Sequence, residues 1–268
     1  MHISLIQMNM TEGAPDENYS RAAQLIREAA AAGTDVIVLP ETWNVGFFPH
    51  EDLESLSDDD GARTKAEIGS LAGELGVNIV AGSVTNRRKE AVYNTAYIFD
   101  RSGTEIAEYD KCHLFSPMDE QEFFTPGDHL CRFELDGVSC GIIICYDLRF
   151  PEWTRKLAAG GLDLLFVVSQ WPGMRAEHLR TLIRARAIEN QMYLACCNSC
   201  GKFTDTQYGG CSAVIDPWGD VLAEGPGAKD GRDVEQIITC ELDMTVLEGI
   251  RSSINVFRDR RPELYGEE

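Results

Sequence analysis

Short apolar runs alternate with longer amphipathic stretches along the chain. Runs such as Asp35–Pro40 and Gly141–Ile144 have the length and composition of buried strands. The stretch Asn18–Ala32 instead carries apolar residues at helical spacing and is followed by Gly33, so it predicts a helix. Because this alternation continues along the chain, it predicts an α/β protein in which two mixed sheets pack face to face with helices outside.

The same pattern gives boundaries for each element. The predicted strands are Ile3–Met8, Asp35–Pro40, Asn78–Val84, Val92–Phe99, Glu105–Tyr109, Arg132–Leu135, Val138–Ile144, Asp163–Ser169, Met192–Cys197, Ser212–Ile215, Asp220–Ala223 and Val234–Cys240. The predicted helices are Asn18–Ala32, Ala62–Leu75, Trp153–Ala159, Arg175–Asn190 and Met244–Ile250. No shift in composition marks a linker, so we expect residues 1–268 to form a single domain, with 251–268 as a C-terminal tail that packs on a partner subunit.

Composition narrows the class of protein. Of the 268 residues 44% are hydrophobic, and no apolar run approaches the length needed to cross a bilayer. The segment Met1–Met8 has the pattern of a strand and not of a signal peptide. The nine cysteines are odd in number and lie mostly inside apolar runs, which favours reduced thiols in a cytoplasm over a disulfide framework.

The charge balance argues against a nucleic-acid partner. The formal net charge is −20, and no dense stripe of Lys and Arg would overcome the repulsion of phosphates. A small anionic substrate is compatible with this charge, because the charge inside a pocket can differ from that of the whole chain.

Three reactive polar residues follow predicted strands. Glu41 comes after the strand that ends at Pro40, Lys111 follows the strand ending near Tyr109, and Cys145 follows Ile144. Active sites of layered α/β folds collect beyond the carboxyl ends of strands. A free thiol has a pKa near ~8.5, so a carboxylate could take its proton and an ammonium could stabilise the charge on an attacked carbonyl.

Each of these residues also has a purely structural interpretation. Glu41 could cap a helix or bind a surface arginine, Lys111 could be an ordinary exposed lysine, and Cys145 could be one more buried cysteine. The turn after Cys145 favours a reactive thiol, because a helix predicted to begin near Phe150, with Pro151 in its first turn, would favour thiolate over thiol. Free backbone N–H groups in this turn would provide an oxyanion site.

Three motifs carry a family resemblance. They are Leu39–Glu41, Tyr109–Phe115 and Gly141–Glu152, and the segments Arg186–Gln191 and Phe257–Tyr265 add to them. In this order they resemble the nitrilase superfamily of carbon–nitrogen hydrolases over almost the whole chain. The resemblance implies a four-layer αββα sandwich, a homodimer that involves the C-terminal tail, and no metal or organic cofactor.

The resemblance also implies residue roles. Glu41 would be the general base, Cys145 the nucleophile and Lys111 the cation at the tetrahedral intermediate. The backbone N–H of Tyr146 would be the second oxyanion donor. Glu120 matches a further family glutamate that would position Lys111 or the leaving group. The expected reaction is hydrolysis of an amide through a cysteine thioester.

The run Ser169–Arg175 looks like the ω-amidase branch, whose enzymes hydrolyse 2-oxoglutaramate and 2-oxosuccinamate. Such substrates carry a carboxylate that Arg175 could bind, although Arg175 could equally be a surface arginine at a helix start. Trp43, Phe115 and Trp171 are expected to form apolar pocket walls.

Several alternatives stay open at this point. Arg149 is expected to tie the turn after Cys145 to an acidic partner. Other substrates are a small aliphatic amide or an N-carbamoyl amino acid, with nitriles less favoured. A different class of protein, a catalytically silent or redox-active thiol scaffold, would also explain the cysteine count.

Overall fold

A first, mixed sheet contains the first and the last strand that the structure describes. The computed structural model describes residues 1–46, 52–203, 205–228 and 234–266. The sheet has the order β15-β1-β2-β4-β5-β6, with β3 paired to β4. The pairs β1–β2, β2–β4 and β3–β4 are parallel. The pairs β1–β15, β4–β5 and β5–β6 are antiparallel. Its strands are β1 His2–Gln7, β2 Val36–Val38, β3 Asp58–Asp59, β4 Asn78–Arg88, β5 Ala91–Phe99, β6 Glu105–Asp110 and β15 Gln236–Glu241.

The second mixed sheet is formed by the middle of the chain. Its order is β14-β13-β10-β9-β8-β7, and β9 pairs in parallel with both β8 and β10. A separate hairpin joins β11 and β12. These strands are β7 Cys131–Leu135, β8 Val138–Ile144, β9 Leu164–Ser169, β10 Tyr193–Asn198, β11 Cys200–Phe203, β12 Thr206–Gly209, β13 Ala213–Ile215 and β14 Val221–Glu224.

Helices cover the outer faces of the sheets. The α-helices are α1 Pro15–Ala31, α2 Leu53–Leu56, α3 Ala62–Thr64, α4 Ser70–Leu75, α5 Pro151–Ala158, α6 Ala176–Asn190, α7 Val246–Ser253 and α8 Pro262–Tyr265. The segment Lys65–Gly69 is π-helical and joins α3 to α4. Single 3₁₀ turns occur at Ser116–Met118, Glu120–Glu122, Cys145–Arg149 and Gly173–Arg175. Within the described ranges, no helix is long and apolar enough to cross a membrane.

Strand alternation produces the layers. In β9, Phe166 and Val168 enter a core that also contains Ile3 and Leu5 of β1, so this core lies between the two sheets. Val167, between them in sequence, points to the opposite side and packs with residues of α5 and α6. Successive side chains of a strand face opposite ways, so central strands such as β2, β9 and β10 are buried on both faces. Two sheets packed face to face with helices on their outer sides form the predicted four-layer αββα sandwich.

The structure differs from the predicted elements mainly at their ends. Helix α1 begins at Pro15 rather than Asn18, because proline is favoured in the first turn, where its missing N–H costs nothing. The helix predicted at Ala62–Leu75 is helical throughout but contains the π-helical segment. The sequence pattern missed the hairpin β11–β12, whose strands have four residues each. The predicted tail contains α8, and residues 267–268 lie outside the described part.

Candidate active site

Strand ends bring the sequence-predicted residues together. Glu41 lies three residues beyond β2, Lys111 directly follows β6, and Cys145 directly follows β8. The Nζ atom of Lys111 lies 2.8 Å from Oε1 of Glu41 and 2.9 Å from both carboxylate oxygens of Glu120. Glu41, Lys111 and Glu120 are all buried. Cys145 shares one pocket with these three residues.

A bulge in β4 holds the loop that carries Glu41. The register between β4 and β5 shifts between Val80 and Ser83, and Gly82 adopts a φ of +60°. The Ser83 N–H donates to the carbonyl of Pro40 at 3.0 Å, and the Ser83 hydroxyl accepts the N–H of Thr42 at 3.0 Å. The chain on both sides of Glu41 is therefore fixed by one segment of β4.

The carboxylate of Glu41 accepts hydrogen bonds on both oxygens. Nδ2 of Asn94 donates to Oε1 at 2.9 Å, the same oxygen that contacts Lys111. The backbone N–H of Gln170 donates to Oε2 at 2.8 Å. The Gln170 side chain also donates from Nε2 to the backbone carbonyl of Glu41 at 2.9 Å. Glu41 is thus held by three donors, Asn94, Lys111 and Gln170, and its carboxylate is close enough to Cys145 to raise the pKa of that thiol.

Lys111 remains an ammonium in this site. Burial by itself lowers the pKa of Lys111, but attraction to the carboxylates of Glu120 and Glu41 outweighs it, so the pKa is raised well above its usual value. Glu120 is held in turn by the backbone N–H of Phe115, which donates to its Oε2 at 2.5 Å. The ammonium is therefore fixed between two anchored carboxylates.

Cys145 has an unusual backbone and a protonated side chain. Its φ is +44°, a left-handed value that is costly for a residue with a Cβ and that persists at sites where the surroundings enforce it. Burial raises the pKa of the Cys145 thiol well above its usual value, and the Glu41 carboxylate raises it further, against the lowering effect of Lys111. The expectation that the following turn favours thiolate was therefore wrong for the free site, because burial and the neighbouring carboxylate outweigh any effect of a helix N-terminus.

A buried carboxylate ties the lysine loop to the cysteine turn. Asp147 is fully buried and accepts the Tyr109 hydroxyl at 2.8 Å, the backbone N–H of His113 at 2.9 Å and the backbone N–H of Ile144 at 3.0 Å. Nδ1 of His113 lies 2.7 Å from the same carboxylate. Lys111 lies between two of these partners in sequence, so its segment and that of Cys145 form one hydrogen-bonded unit.

The pocket beside these residues has aromatic walls and a cationic rim. Its lining residues are Glu41, Lys111, Phe115, Met118, Glu120, Cys145, Tyr146, Arg149, Gln170, Trp171, Pro172, Arg175 and Tyr208. The rings of Phe115 and Tyr146 meet edge to face at 5.0 Å. The Arg175 guanidinium lies 5.5 Å from the Phe115 ring centre, and that of Arg149 lies 4.7 Å from the Trp171 ring centre. Predicted wall residues Phe115 and Trp171 thus line the pocket together with Tyr146 and Arg175.

Two sequence-based assignments need correction. Trp43 does not line this pocket: its side chain is fully buried in the core under α1, where it packs on Tyr19 and its indole N–H donates to the carbonyl of Ala81 at 2.7 Å. Arg149 does not pair with an acidic residue of the described chain. It lines the pocket, stacks on Trp171, and lies 3.3 Å from Nδ1 of His178.

Sequence reasoning missed three residues of the site. Gln170 directly follows β9, so the rule that located Cys145 could have found it. Asn94 is a polar residue in the interior of β5, which by itself is a weak indication of a functional role. Its hydrogen bond to Glu41 is visible only in the structure. Tyr208 reaches the pocket from β12, a strand the sequence pattern did not predict.

The backbone N–H of Tyr146 lies in the first turn of the 3₁₀ segment Cys145–Arg149, where N–H groups have no acceptor within the helix. This placement suits an oxyanion donor next to the thiol.

Among the residues that the structure describes, no group of three His, Cys, Asp or Glu side chains is placed to hold a metal ion.

Comparison with known proteins identifies the family. The family model described as carbon-nitrogen hydrolase matches residues 2–252. A 2-oxoglutaramate amidase from Bacillus subtilis (strain 168) is 44% identical over 263 residues, which cover 98% of this chain and 98% of that protein. Omega-amidase NIT2 from Xenopus tropicalis is 31% identical over 283 residues, which cover 99% of this chain and 97% of that protein.

A solved structure agrees with these relatives. The crystal structure of XC1258 from Xanthomonas campestris, a CN-hydrolase superfamily protein with an arsenic adduct in the active site, matches with a TM-score of 0.88 at 31% identity and covers 97% of both chains. The family model and the full-length relatives, together with the meeting of a carboxylate, an ammonium and a thiol, leave no support for a silent thiol scaffold. The chain therefore belongs to the carbon-nitrogen hydrolase family of the nitrilase superfamily, and it is an amidase with a Glu–Lys–Cys triad.

Proposed function

We propose that the protein is an ω-amidase that hydrolyses the side-chain amide of a small 2-oxo acid, such as 2-oxoglutaramate or 2-oxosuccinamate. The observation that carries this proposal is the pair Arg149 and Arg175. Both guanidinium groups lie at the pocket and contact aromatic rings, and neither forms an ion pair with a carboxylate of the described residues. In a chain with a net charge of −20, two such cations beside a triad favour a substrate that brings its own carboxylate.

The charge of the rest of the pocket strengthens this argument. Lys111 is already balanced by Glu41 and Glu120, so it offers no net charge to a distant substrate carboxylate. Arg149 and Arg175 are therefore the lining cations without a carboxylate partner among the described residues. A substrate with an amide at one end and a carboxylate at the other would place the amide at the triad and the carboxylate at these arginines. The names of the Bacillus and Xenopus relatives point to the same class of substrate.

The proposed chemistry begins at Cys145. Glu41 takes the proton of the thiol, and the sulfur attacks the amide carbon to form a tetrahedral intermediate. The ammonium of Lys111 and the N–H of Tyr146 stabilise the negative oxygen. Glu41 returns the proton to the departing nitrogen, ammonia leaves, and an acyl thioester remains on Cys145. Glu120 positions Lys111 throughout, because both of its oxygens contact Nζ.

The second half of the reaction uses water. Glu41 removes a proton from the water that attacks the thioester, and the same tetrahedral geometry is stabilised by Lys111. The 2-oxo acid leaves and Cys145 recovers its proton from Glu41. The raised pKa of the Cys145 thiol fits this cycle, because the sulfur is then a thiol except when Glu41 activates it.

A substrate comparison tests the assignment. We would measure ammonia release from 2-oxoglutaramate, from pentanamide as a neutral amide of equal length, from N-carbamoyl-β-alanine and from pentanenitrile. We expect 2-oxoglutaramate to have the highest kcat/KM. A preference for the carbamoyl compound would support the rival N-carbamoyl hydrolase, equal rates for both amides would indicate a general aliphatic amidase, and turnover of the nitrile alone would reject the ω-amidase assignment.

Variants of the two arginines give the sharper test. Arg149→Met and Arg175→Met should each lower kcat/KM for 2-oxoglutaramate about 10- to 100-fold, the effect of losing a charge-assisted hydrogen bond. The neutral pentanamide should be hydrolysed at nearly the parent rate. Arg184→Met is a matched control, since Arg184 donates to the carbonyl of Gly219 and does not line the pocket. Equal losses with the charged and the neutral substrate would contradict carboxylate recognition.

We also propose that the enzyme is a cytoplasmic homodimer with the tail at the interface. Ile254, Leu264 and Tyr265 are apolar and are 52%, 66% and 55% exposed. These three exposed apolar side chains in one short segment fit a surface that a partner covers. All nine cysteines are free thiols, which fits a reducing compartment. A single domain spanning residues 1–268 remains part of this proposal, supported by an inter-sheet core that combines residues from Ile3 to Leu247.

A further inference from the structure

Asn94 contacts two members of the triad from a position outside the pocket. It lies in the interior of β5 and is 1% exposed. Its backbone carbonyl accepts the N–H of Lys111 at 2.9 Å. Its side-chain Nδ2 donates to Oε1 of Glu41 at 2.9 Å. One residue of a central strand therefore holds the main chain of the cation and the side chain of the base.

The second polar atom of the Asn94 side chain, Oδ1, is buried and has no hydrogen-bond partner in the described part of the chain. An orphaned buried acceptor costs free energy, so packing alone does not explain an asparagine here. Asn190 offers a comparison away from the site: its Oδ1 is equally orphaned, and its Nδ2 donates to the carbonyl of Arg186 at 3.0 Å.

The Asn94 side chain gives the Glu41 carboxylate a hydrogen-bond donor that does not depend on the position of Lys111. The Lys111 ammonium is shared, because it contacts Glu120 about as closely as it contacts Glu41. Without Asn94, Oε1 of Glu41 would keep Lys111 as its remaining donor, and the N–H of Gln170 at Oε2 would be the one neutral donor left to hold the carboxylate toward the thiol. A donor fixed to a β-strand does not move with the lysine, so it keeps the base in the geometry that proton transfer needs.

We propose that Asn94 is a positioning residue of the amidase: its Nδ2 sets the orientation of the Glu41 carboxylate toward Cys145, while its carbonyl sets the main chain of Lys111. This inference rests on the roles proposed above for Glu41, Lys111 and Cys145. Asn94 is not among the residues that line the pocket in which the substrate is proposed to bind. Substitution of Asn94 should therefore lower kcat and leave KM nearly unchanged.

Steady-state kinetics of purified variants test the proposal with the best amide substrate. Asn94→Leu keeps the size of the side chain and removes the donor, and we expect kcat to fall about 100-fold while KM changes less than about threefold. Asn190→Leu removes an equally buried amide outside the site, so the melting temperature falls while kcat stays near the parent value. Reference variants are Glu41→Gln, which should lose about 10²- to 10⁴-fold in kcat, and Cys145→Ala, which should be inactive.

The pH dependence of kcat in Asn94→Asp distinguishes a positioning role of this residue from a purely structural one. The introduced carboxyl has nearly the same shape and can donate to Glu41 only when it carries a proton. We therefore expect the pH optimum of kcat for this variant to move to lower pH, whereas Asn94→Leu should show no recovery in acid. This variant also keeps the proposal testable if Asn94→Leu fails to fold.

The outcomes separate this inference from the function on which it rests. If Glu41→Gln keeps full kcat, the proposed role of Glu41 is wrong and the role of Asn94 falls with it. If Glu41→Gln shows the expected loss of kcat while Asn94→Leu stays within about threefold of the parent kcat, the inference alone is overturned. A loss of kcat in Asn190→Leu as large as that in Asn94→Leu, or an unchanged pH optimum in Asn94→Asp, would also overturn it.

Discussion

Cys145 stays protonated in the free site because two effects favour the neutral thiol. Burial removes the water that would solvate a thiolate, and the carboxylate of Glu41 repels a second negative charge nearby. The ammonium of Lys111 opposes both effects but is already shared between Glu41 and Glu120. In the proposed reaction the sulfur therefore depends on proton transfer to Glu41 at the moment of attack.

In Glu41→Gln the thiol of Cys145 should become more acidic while the rate of hydrolysis falls. Removing the Glu41 charge removes a contribution that raises the pKa of Cys145 and leaves the lowering effect of Lys111, so the thiol pKa should fall and more thiolate should be present at any given pH. Hydrolysis should nevertheless drop by about 10²- to 10⁴-fold, because no group takes the proton during attack. Ultraviolet thiolate absorbance against pH, with Cys145→Ala subtracted, measures the first effect.

The control for this prediction is Glu120→Gln. This variant removes a carboxylate that contacts Lys111 but is not among the main groups that raise the pKa of Cys145. The titration of Cys145 should stay close to that of the parent. A rise of the Cys145 pKa in Glu41→Gln would show that the carboxylate is not among the groups that hold the thiol neutral.

At the scale of elements, irregularities in the strands place the site. The bulge of β4 brings Ser83 against the loop of Glu41, and the 3₁₀ turn after β8 presents Cys145. Regular strands would continue past both positions without turning a side chain into the pocket. Asp147 then joins the turn to the loop that follows β6, through hydrogen bonds to Tyr109 and His113. Irregular backbone at strand ends is a recurring feature of active sites.

Gly82→Ala should lower both stability and activity. A Cβ at this position would lie 2.0 Å from the carbonyl oxygen of Pro40, and the φ of +60° is unfavourable for alanine. We expect a loss of about 1–3 kcal/mol in the free energy of unfolding. Because Pro40 precedes Glu41, displacement of the loop should also lower kcat, by up to about 100-fold for a shift near 1 Å. Urea unfolding and steady-state kinetics measure the two effects.

Gly137→Ala is the matched control for this variant. Gly137 also has a left-handed φ, of +80°, but a Cβ there would meet no atom within 4 Å. It should therefore lose stability by about 1 kcal/mol through backbone strain alone and keep the parent kcat. If both glycine variants kept kcat, the close contact of β4 with Pro40 would not be what positions Glu41.

At the scale of the whole molecule, two face-to-face sheets explain how distant residues form one site. Glu41, Asn94 and Lys111 come from the first sheet, whereas Cys145 and Gln170 follow strands of the second. The inter-sheet core fixes the distance between these strand ends. The amidase function is therefore a property of the assembled sandwich and of no single strand–helix unit.

The proposed dimer gives a prediction at the same scale. Replacing both Leu264 and Tyr265 with Asp should convert the parent dimer to a monomer of 29.7 kDa, because it removes exposed apolar surface and adds charge to an already acidic chain. Sedimentation equilibrium measures the mass. Ile106→Asp, an apolar-to-acidic change at a 37% exposed position of β6, should leave the mass unchanged. A monomeric parent, or a dimer that survives the double change, would contradict the proposed interface.

The sequence by itself determined the α/β class and the residues that stand at strand ends. Alternation of apolar runs and amphipathic stretches is a local property, so it can be seen without coordinates. For the same reason Glu41, Lys111 and Cys145 could be selected from their motifs, and the family resemblance added Glu120. The fold class and the carbon–nitrogen hydrolase activity predicted in this way are confirmed by the relatives.

Tertiary structure decided what depends on distances between separate strands. Asn94 contacts Glu41, which no local pattern predicts. Trp43 lies in the core instead of the pocket, and Arg149 lines the pocket instead of binding an acidic partner. Tertiary structure also reversed the expected acidity of Cys145, since a pKa depends on burial and on neighbouring charges from other parts of the chain. Local pattern determines which way a side chain leaves its strand, and only packing determines what it meets.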